Sequence, residues 1–396
     1  MTRNDRVMER RMFMGSEFAP EHAPDLIRGR APERPTENQR EDSMAGKRRK
    51  SWTGRLLAGL LAPLGVLALL SGPVAAKDGL KHVSIAVGGA GCLCYLPTML
   101  AHQIGEYEKA GLDVELINFK GGSQALTAVL GGSADVVSGY YDHCVNLAAK
   151  NQPLQAFVTY DRYPGLVLVV SPKHTEEIRS IKDLAGKKVG VSAPGSSTDF
   201  FLKYLLHKNG VDPNSVAVIG IGLEATAIAA QEQGMVDAAV MLDPAVTLLQ
   251  GKYKDVKILS DTRTQKDTLA VFGGEYPGGA LYTRAGWIAG HESEVQALAN
   301  AIVATLKWIH SHTPEEVIAQ MPVELVGPDK ELYLAALKNT IPMYSLTGSM
   351  DPKGAQAVLD VFSQSVPEIA NAHIDLTKTY TNKYVEQANA KPGTSK

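Results

Sequence analysis

The 396-residue chain lacks the local signatures of the common catalytic machineries. It has no Gly-x-Ser-x-Gly turn, no His-Glu-x-x-His pair and no phosphate-binding P-loop. An elbow serine, a zincin site and a Walker-type nucleotide site therefore have nothing to stand on. Excess basic charge is missing too. Beyond residue 76, 27 Lys and Arg face 33 Asp and Glu, a net charge of −6. Nucleic-acid binding needs a basic footprint, so no nucleic-acid partner is expected. Long apolar runs are absent: Leu56 to Leu70 falls short of the ~20 residues of a spanning helix. Cysteine is limited to Cys92, Cys94 and Cys144. One nucleotide-like string is present, Gly220-Ile221-Gly222-Leu223-Glu224-Ala225, with Asp243 ending the next strand. It matches G-x-G-x-x-A, but the helix after it is short and its counterpart elsewhere in the chain carries no such motif. No cofactor is expected.

The leucine-rich run has a different context. Lys47 to Lys50 and Arg55 precede it, and Ser71-Gly72-Pro73-Val74-Ala75-Ala76 follows. A basic start, a short apolar middle and a small-residue exit form a secretory signal peptide, here 44–76, with cleavage expected after Ala76. The polar stretch 1–43 has no apolar periodicity and reads as a disordered or untranslated leader, with Met44 as a plausible start. With 44% hydrophobic and 21% charged residues the chain is ordinary globular material. Its length suggests two domains.

What is present above all is a repeat. Ser84 to Gly91 (SIAVGGAG) aligns with Lys188 to Gly195 (KVGVSAPG), and Lys109 to Asp113 (KAGLD) with Lys208 to Asp212 (KNGVD). Gln124 to Val137 aligns with Thr226 to Val240, each an amphipathic helix closed by Gly-x-x-Asp and a strand. The offsets are 104, 99 and 102 residues, so the copies differ by loop-sized amounts. Two βαβαβ units make an α/β protein of two similar lobes with a cleft between them. GLVLVVSP (Gly165 to Pro172) and GGALYTR (Gly278 to Arg284) read as the two hinge crossovers. Lobe 1 is then 77–168 and lobe 2 is 172–277. The return hinge and a helical C-terminal part, 278–396, pack on lobe 1. Val295, Leu298, Ile302, Leu306 and Ile309 recur at helical spacing. Thr313-Pro314-Glu315-Glu316 and Asp351-Pro352 are helix starts.

LPTMLAHQIGEYEKAGLDVEL, GGSADVVSG, DLAGKKVGVSAPGSSTDFFLKYLL and GMVDAAVMLDP together resemble one known family over about residues 80 to 385. This is the periplasmic substrate-binding proteins of nitrate/sulfonate/taurine-type ABC importers, which share their fold with thiamine-pyrimidine-precursor binding proteins. The resemblance implies a type II periplasmic-binding-protein fold that closes on a small solute without catalysis. It also implies an ABC permease in the inner membrane as partner, a periplasmic location and a monomer. An alternative is an enzyme similar to the iron-dependent pyrimidine synthases of this fold, using Cys92, Cys94, Cys144 and His143. Those synthases have a segment richer in cysteine than GCLCY. A disulfide from Cys144 to Cys92 or Cys94 is also feasible after export.

Ligands of open α/β sheets bind beyond the carboxyl ends of the strands, which selects the candidate residues. Ser196, Ser197 and Thr198 open a helix, whose free N–H groups and positive dipole end favour an acceptor or anionic group. Gly91 and Tyr95 are their first-lobe counterparts, and Ser123 opens another helix. Tyr140, Tyr141 and Asp142 follow the third strand of lobe 1, and Asp243 the third strand of lobe 2. Glu224 begins a helix, and Glu275 and Tyr276 adjoin the return hinge. Basic residues are almost missing from these loops, Arg162 being the nearest. Four acids with several tyrosines lean towards a solute carrying amino or ring N–H groups, with a flat ring that tyrosines can stack on.

Overall fold

A strand buried on both faces reads as a continuous apolar run rather than an alternating one, and Val83 to Val87 and Val189 to Val191 have that character. In a computed structural model, which describes residues 79–390, both become interior strands with a parallel neighbour on each side, in sheets of mixed direction. The leader, the signal segment and its cleavage point lie outside the described residues. Among the described residues ten strands are formed: β1 Lys81–Val87, β2 Leu112–Asn118, β3 Val136–Tyr140, β4 Leu154–Thr159, β5 Val167–Val170, β6 Lys188–Val191, β7 Ala217–Gly220, β8 Ala238–Met241, β9 Ile258–Asp261 and β10 Gly279–Arg284. They make two five-stranded sheets, ordered β2-β1-β3-β10-β4 and β7-β6-β8-β5-β9. Position by position the orders correspond, so the sequence repeat is a repeat of topology.

Gly-x-x-Asp has a structural job in each copy. Asp135 Oδ2 accepts hydrogen bonds from Ser84 N at 2.9 Å and Ser84 Oγ at 2.7 Å. Asp237 Oδ2 accepts from Lys188 N at 2.7 Å. In both lobes an acid just ahead of the third strand is bonded to the first strand, at its middle in lobe 1 and at its start in lobe 2.

The fourth strand of each sheet comes from across the hinge. β10 runs antiparallel between β3 and β4, and β5 antiparallel between β8 and β9. The change of lobe therefore comes just ahead of the two β-type runs, since Val167 already belongs to the second sheet and Gly279 to the first. The two crossing segments are stitched together. Asp161 N donates to Gly279 O at 3.2 Å, Gly278 N to Asp161 O at 3.1 Å, and Gly279 N to Asp161 Oδ2 at 2.9 Å.

The C-terminal part is helical where the apolar spacing and caps indicate. Helix Glu292–Ser311 buries Val295, Leu298, Ile302, Leu306 and Ile309, each worth roughly 1.5–3 kcal/mol of transfer free energy. Thr313 and Glu316 form a reciprocal capping box, and Asp351 caps helix Pro352–Ser365 through Lys353 N. The first of these helices packs on lobe 1; the last also reaches lobe 2, where Phe362 meets Phe200 with ring centres 5.0 Å apart.

Candidate functional site

The carboxyl ends of β1, β3, β6 and β8 face one another across the lobes. The loop after β6 turns through Gly195, whose φ of +79° is a left-handed conformation that glycine adopts without strain. Helix Ser197–Lys208 then starts, with Ser196 as its N-cap residue. Thr198 is committed within its own lobe, its Oγ1 accepting from Ser192 N at 3.0 Å and lying 2.9 Å from Ser192 Oγ. Ser196 and Ser197 reach across. Ser196 Oγ accepts from Ser123 N at 2.9 Å and donates to Ser123 Oγ at 3.1 Å. Ser197 Oγ donates to Asp142 Oδ1 at 2.7 Å. Glu224 Oε1 accepts from Gly91 N at 2.6 Å, and Leu93 N donates to Asp243 O at 3.0 Å.

Asp142 is the electrostatic centre of this contact. It is 1% exposed, and Tyr276 OH donates to its Oδ2 at 3.2 Å. Burial raises its pKa from 3.8 to about 7, against the opposing effect of the hydrogen bonds from Ser197 and Tyr276. His143, next in sequence, is equally buried; loss of hydration holds its pKa down at about 4, so the ring is neutral near pH 7. Its Nδ1 lies 2.7 Å from Tyr282 OH.

Tyr95 and Tyr140, edge to face at 6.1 Å, line a small interlobe cavity with Gly122, Leu166, Ser192, Ser196, Ser197, Thr198, Leu223 and Leu242. Its volume is about 10 Å³, room for about one water molecule. A space of that size is too small for an organic solute.

The remaining expected residues are dispersed. Tyr141 turns away from the cleft and meets Thr379 Oγ1 at 2.6 Å, so it anchors the C-terminal part. Tyr276 stacks on Phe272 at 4.3 Å and presents only its hydroxyl to Asp142. Glu275 accepts from Gln265 Nε2 and lines a different cavity beside the hinge. Asp243 accepts from Thr247 N and Oγ1, and its Oδ2 lies 3.5 Å from Arg263 Nη1. Burial raises its pKa while Arg263 lowers it. The four acids thus occupy separate places. Arg263, a half-buried cation unnoticed in the sequence, is already shared between Asp243 and Asp261. Gly122 and Ser192 also line the cavity, and only their positions at strand and helix ends could have signalled it.

Cysteine chemistry departs from expectation. Cys92 pairs with Cys94, and Cys144 is a free, buried thiol. The two paired residues share one turn, with Cα atoms 5.1 Å apart, whereas Cys144 sits in the next layer beside the Ala156 backbone. Among the described residues no three His, Cys, Asp or Glu are grouped to hold a metal ion, so the iron-enzyme alternative gains no support. No helix among them is long and apolar enough to cross a membrane.

A family model described as NMT1/THI5 like matches residues 95–317. A solved protein from Bordetella bronchiseptica RB50 is 38% identical, the match covering 79% of this chain and 98% of that one, with a TM-score of 0.76. The alkanesulfonate-binding protein SsuA from Xanthomonas axonopodis pv. citri, bound to MOPS, is 18% identical over 78% and 99% of the two chains, with a TM-score of 0.58. The periplasmic nitrate-binding protein NrtA from Synechocystis PCC 6803 is 14% identical over 79% and 89%, with a TM-score of 0.56. The last two likenesses carry the fold, the two-lobed periplasmic-binding-protein architecture. No curated protein sequence matches significantly.

Proposed function

We propose, from the premise that the chain belongs to the NMT1/THI5-like family, that it is the exported solute-binding component of an ABC importer. In this reading it works in the periplasm as a monomer, without catalysis or cofactor. It captures a small organic solute between lobe 1, which runs from 77 to the strand before β5, and lobe 2, which runs from β5 to 277, while 278–396 carries the return hinge and the supporting helices. The loaded form then docks on a permease in the inner membrane.

The observation that carries the reading is that polar groups of both lobes meet across one cleft. Ser197 bonds to Asp142, Ser196 to Ser123, and Glu224 to Gly91 N. Such pairs hold the lobes weakly, and a solute with matching groups can take their place as the lobes close around it. Asp142 suits an N–H donor, the Ser196–Thr198 helix start suits an acceptor or anionic group, and Tyr95 and Tyr140 flank a flat ring. Ligands of this kind include heterocycles as well as sulfonates bearing an amine.

Mass spectrometry of the solute released by denaturing the purified protein tests the reading. With that solute, Asp142→Ala and Ser197→Ala should each weaken binding about tenfold or more, because each leaves a buried partner unsatisfied at roughly 1–3 kcal/mol. Scattering should show compaction on binding. A plain nitrate or sulfonate whose affinity both substitutions leave unchanged would sink the specificity account. Binding without compaction would sink the closure.

A further inference from the structure

Beside the hinge lies a second cavity of about 210 Å³, which shares no lining residue with the small cavity of the cleft. Its wall includes Asp161 and Arg162 of the outgoing segment, Glu275 of the return, and Asp351 with the hydroxyls of Ser345, Thr347 and Ser349 from the C-terminal part. Three carboxylates thus share its wall with one guanidinium. The guanidinium is turned outward, Arg162 being exposed and its Nη2 donating to Pro342 O at 2.5 Å.

One carboxylate is unfinished. Asp161 is fully buried, and its Oδ2 accepts from Gly279 N, but its Oδ1 has no hydrogen-bond partner. A buried acceptor left without a donor is costly, and native structures rarely leave one so. Hydroxyls complete the wall: Ser345 Oγ accepts from Thr347 N and Gly348 N, which leaves its own hydrogen free to donate. Asp161 Oδ1 therefore lacks the donor that an occupant of the cavity could supply.

We propose that this hinge cavity is a second binding site, selective for a small organic ammonium compound whose N–H group donates to Asp161 Oδ1. The acidic excess of the wall favours a cation. A bare metal ion is disfavoured, since the carboxylates do not converge on one point. An ammonium on a short hydroxylated carbon chain fits both features, placing N–H on Asp161 and a hydroxyl among Ser345, Thr347 and Ser349. Burial pushes the Asp161 carboxyl well above its ordinary range, and a neighbouring cation would favour its ionised form. Because Asp161 also fastens the two crossing segments through Gly278 and Gly279, an occupant sits directly on the pin of the hinge. The site is independent of the solute that the cleft takes.

Ethanolammonium chloride, titrated into the full-length protein at constant ionic strength and followed by calorimetry and saturation-transfer NMR, is the probe. Saturable binding is expected, with ethylene glycol, its neutral analogue, at least tenfold weaker. Asp161→Asn keeps an oxygen for Gly279 N and should reduce ethanolammonium affinity at least tenfold. Glu275→Gln, at the half-buried rim, should reduce it about threefold and serves as the readout if Asp161→Asn does not fold. Asp142→Asn, which removes the cleft carboxylate but keeps an oxygen for Ser197, should leave this affinity unchanged; a tenfold loss there would move the ligand to the cleft and overturn the second site. Absence of saturation, equal binding of ethylene glycol, or indifference to the tested carboxylate substitution would overturn it as well.

Discussion

Asp142 and Asp243 occupy equivalent places in the two lobes, each just past the end of a third strand, yet they have been finished in opposite ways. Asp243 was given a cation: Arg263 stands 3.5 Å from it, and Thr247 caps the same carboxylate. Asp142 was given no cation: it is held by two hydroxyls, Ser197 from the other lobe and Tyr276 from the return segment, and by the backbone of His143. A buried acid paired with arginine is a closed account with little left to offer a ligand. A buried acid held by hydroxyls, with its pKa raised to about 7, can exchange those partners for others. The same backbone unit thus supplies a structural acid in one lobe and a responsive one in the other.

The largest expected effect separates the two acids by pH. With a folded pKa of about 7 against 3.8, Asp142 binds a proton in the folded protein that the unfolded chain has already released. Its contribution is therefore present in full below 3.8 and lost progressively by about 7, on the order of 4 kcal/mol in total. Urea unfolding at pH 4, 5.5 and 7 should show this loss in the wild type and not in Asp142→Asn. Equal slopes in the two proteins would break the comparison. Next, Arg263→Ala should cost on the order of 3 kcal/mol, since it leaves Asp243 buried and uncompensated. Adding Asp243→Asn should recover most of that loss, and a double-mutant cycle with no coupling would show that the two side chains are not paired. Ser197→Ala should weaken lobe contact by about 1 kcal/mol, a roughly fivefold shift towards the open form in the absence of solute, measurable with a dye on each lobe. Smallest is Thr247→Val, which removes one of two bonds to Asp243 Oδ1 and should lower stability by roughly 0.5–1 kcal/mol in thermal melts.

Much of the architecture is legible because it is local or repeated. The Gly-x-x-Asp strings mark Asp135 and Asp237, and both pin a first strand. The caps at Thr313 and Asp351 depend on neighbours within three residues and appear as their spacing implies. Ser196 and Ser197 could be selected because a hydroxyl at a helix start beyond a strand end has few other places to point. What escaped depends on distant contacts. Tyr141 sits among candidate residues in the chain, but its hydroxyl belongs to Thr379, 238 positions away. Arg263 neutralises Asp243 only because β9 lies beside β5, and nothing in TRT marks it. Cys144 was a fair partner for Cys92 or Cys94 on paper; the shorter path within one turn took the bond instead.

The interior antiparallel strands carry a consequence for synthesis. The sheet of lobe 2 uses only residues from Val167 to Asp261, so all its strands exist once that stretch has been made. The sheet of lobe 1 begins earlier, at Lys81, but has β10 between β3 and β4 and stays incomplete until Arg284 arrives. The lobe that starts first is therefore the one that finishes last. Until then β3 and β4 keep open edges that another chain could pair with, so any holding factor that meets this protein as it emerges has its work in the first lobe.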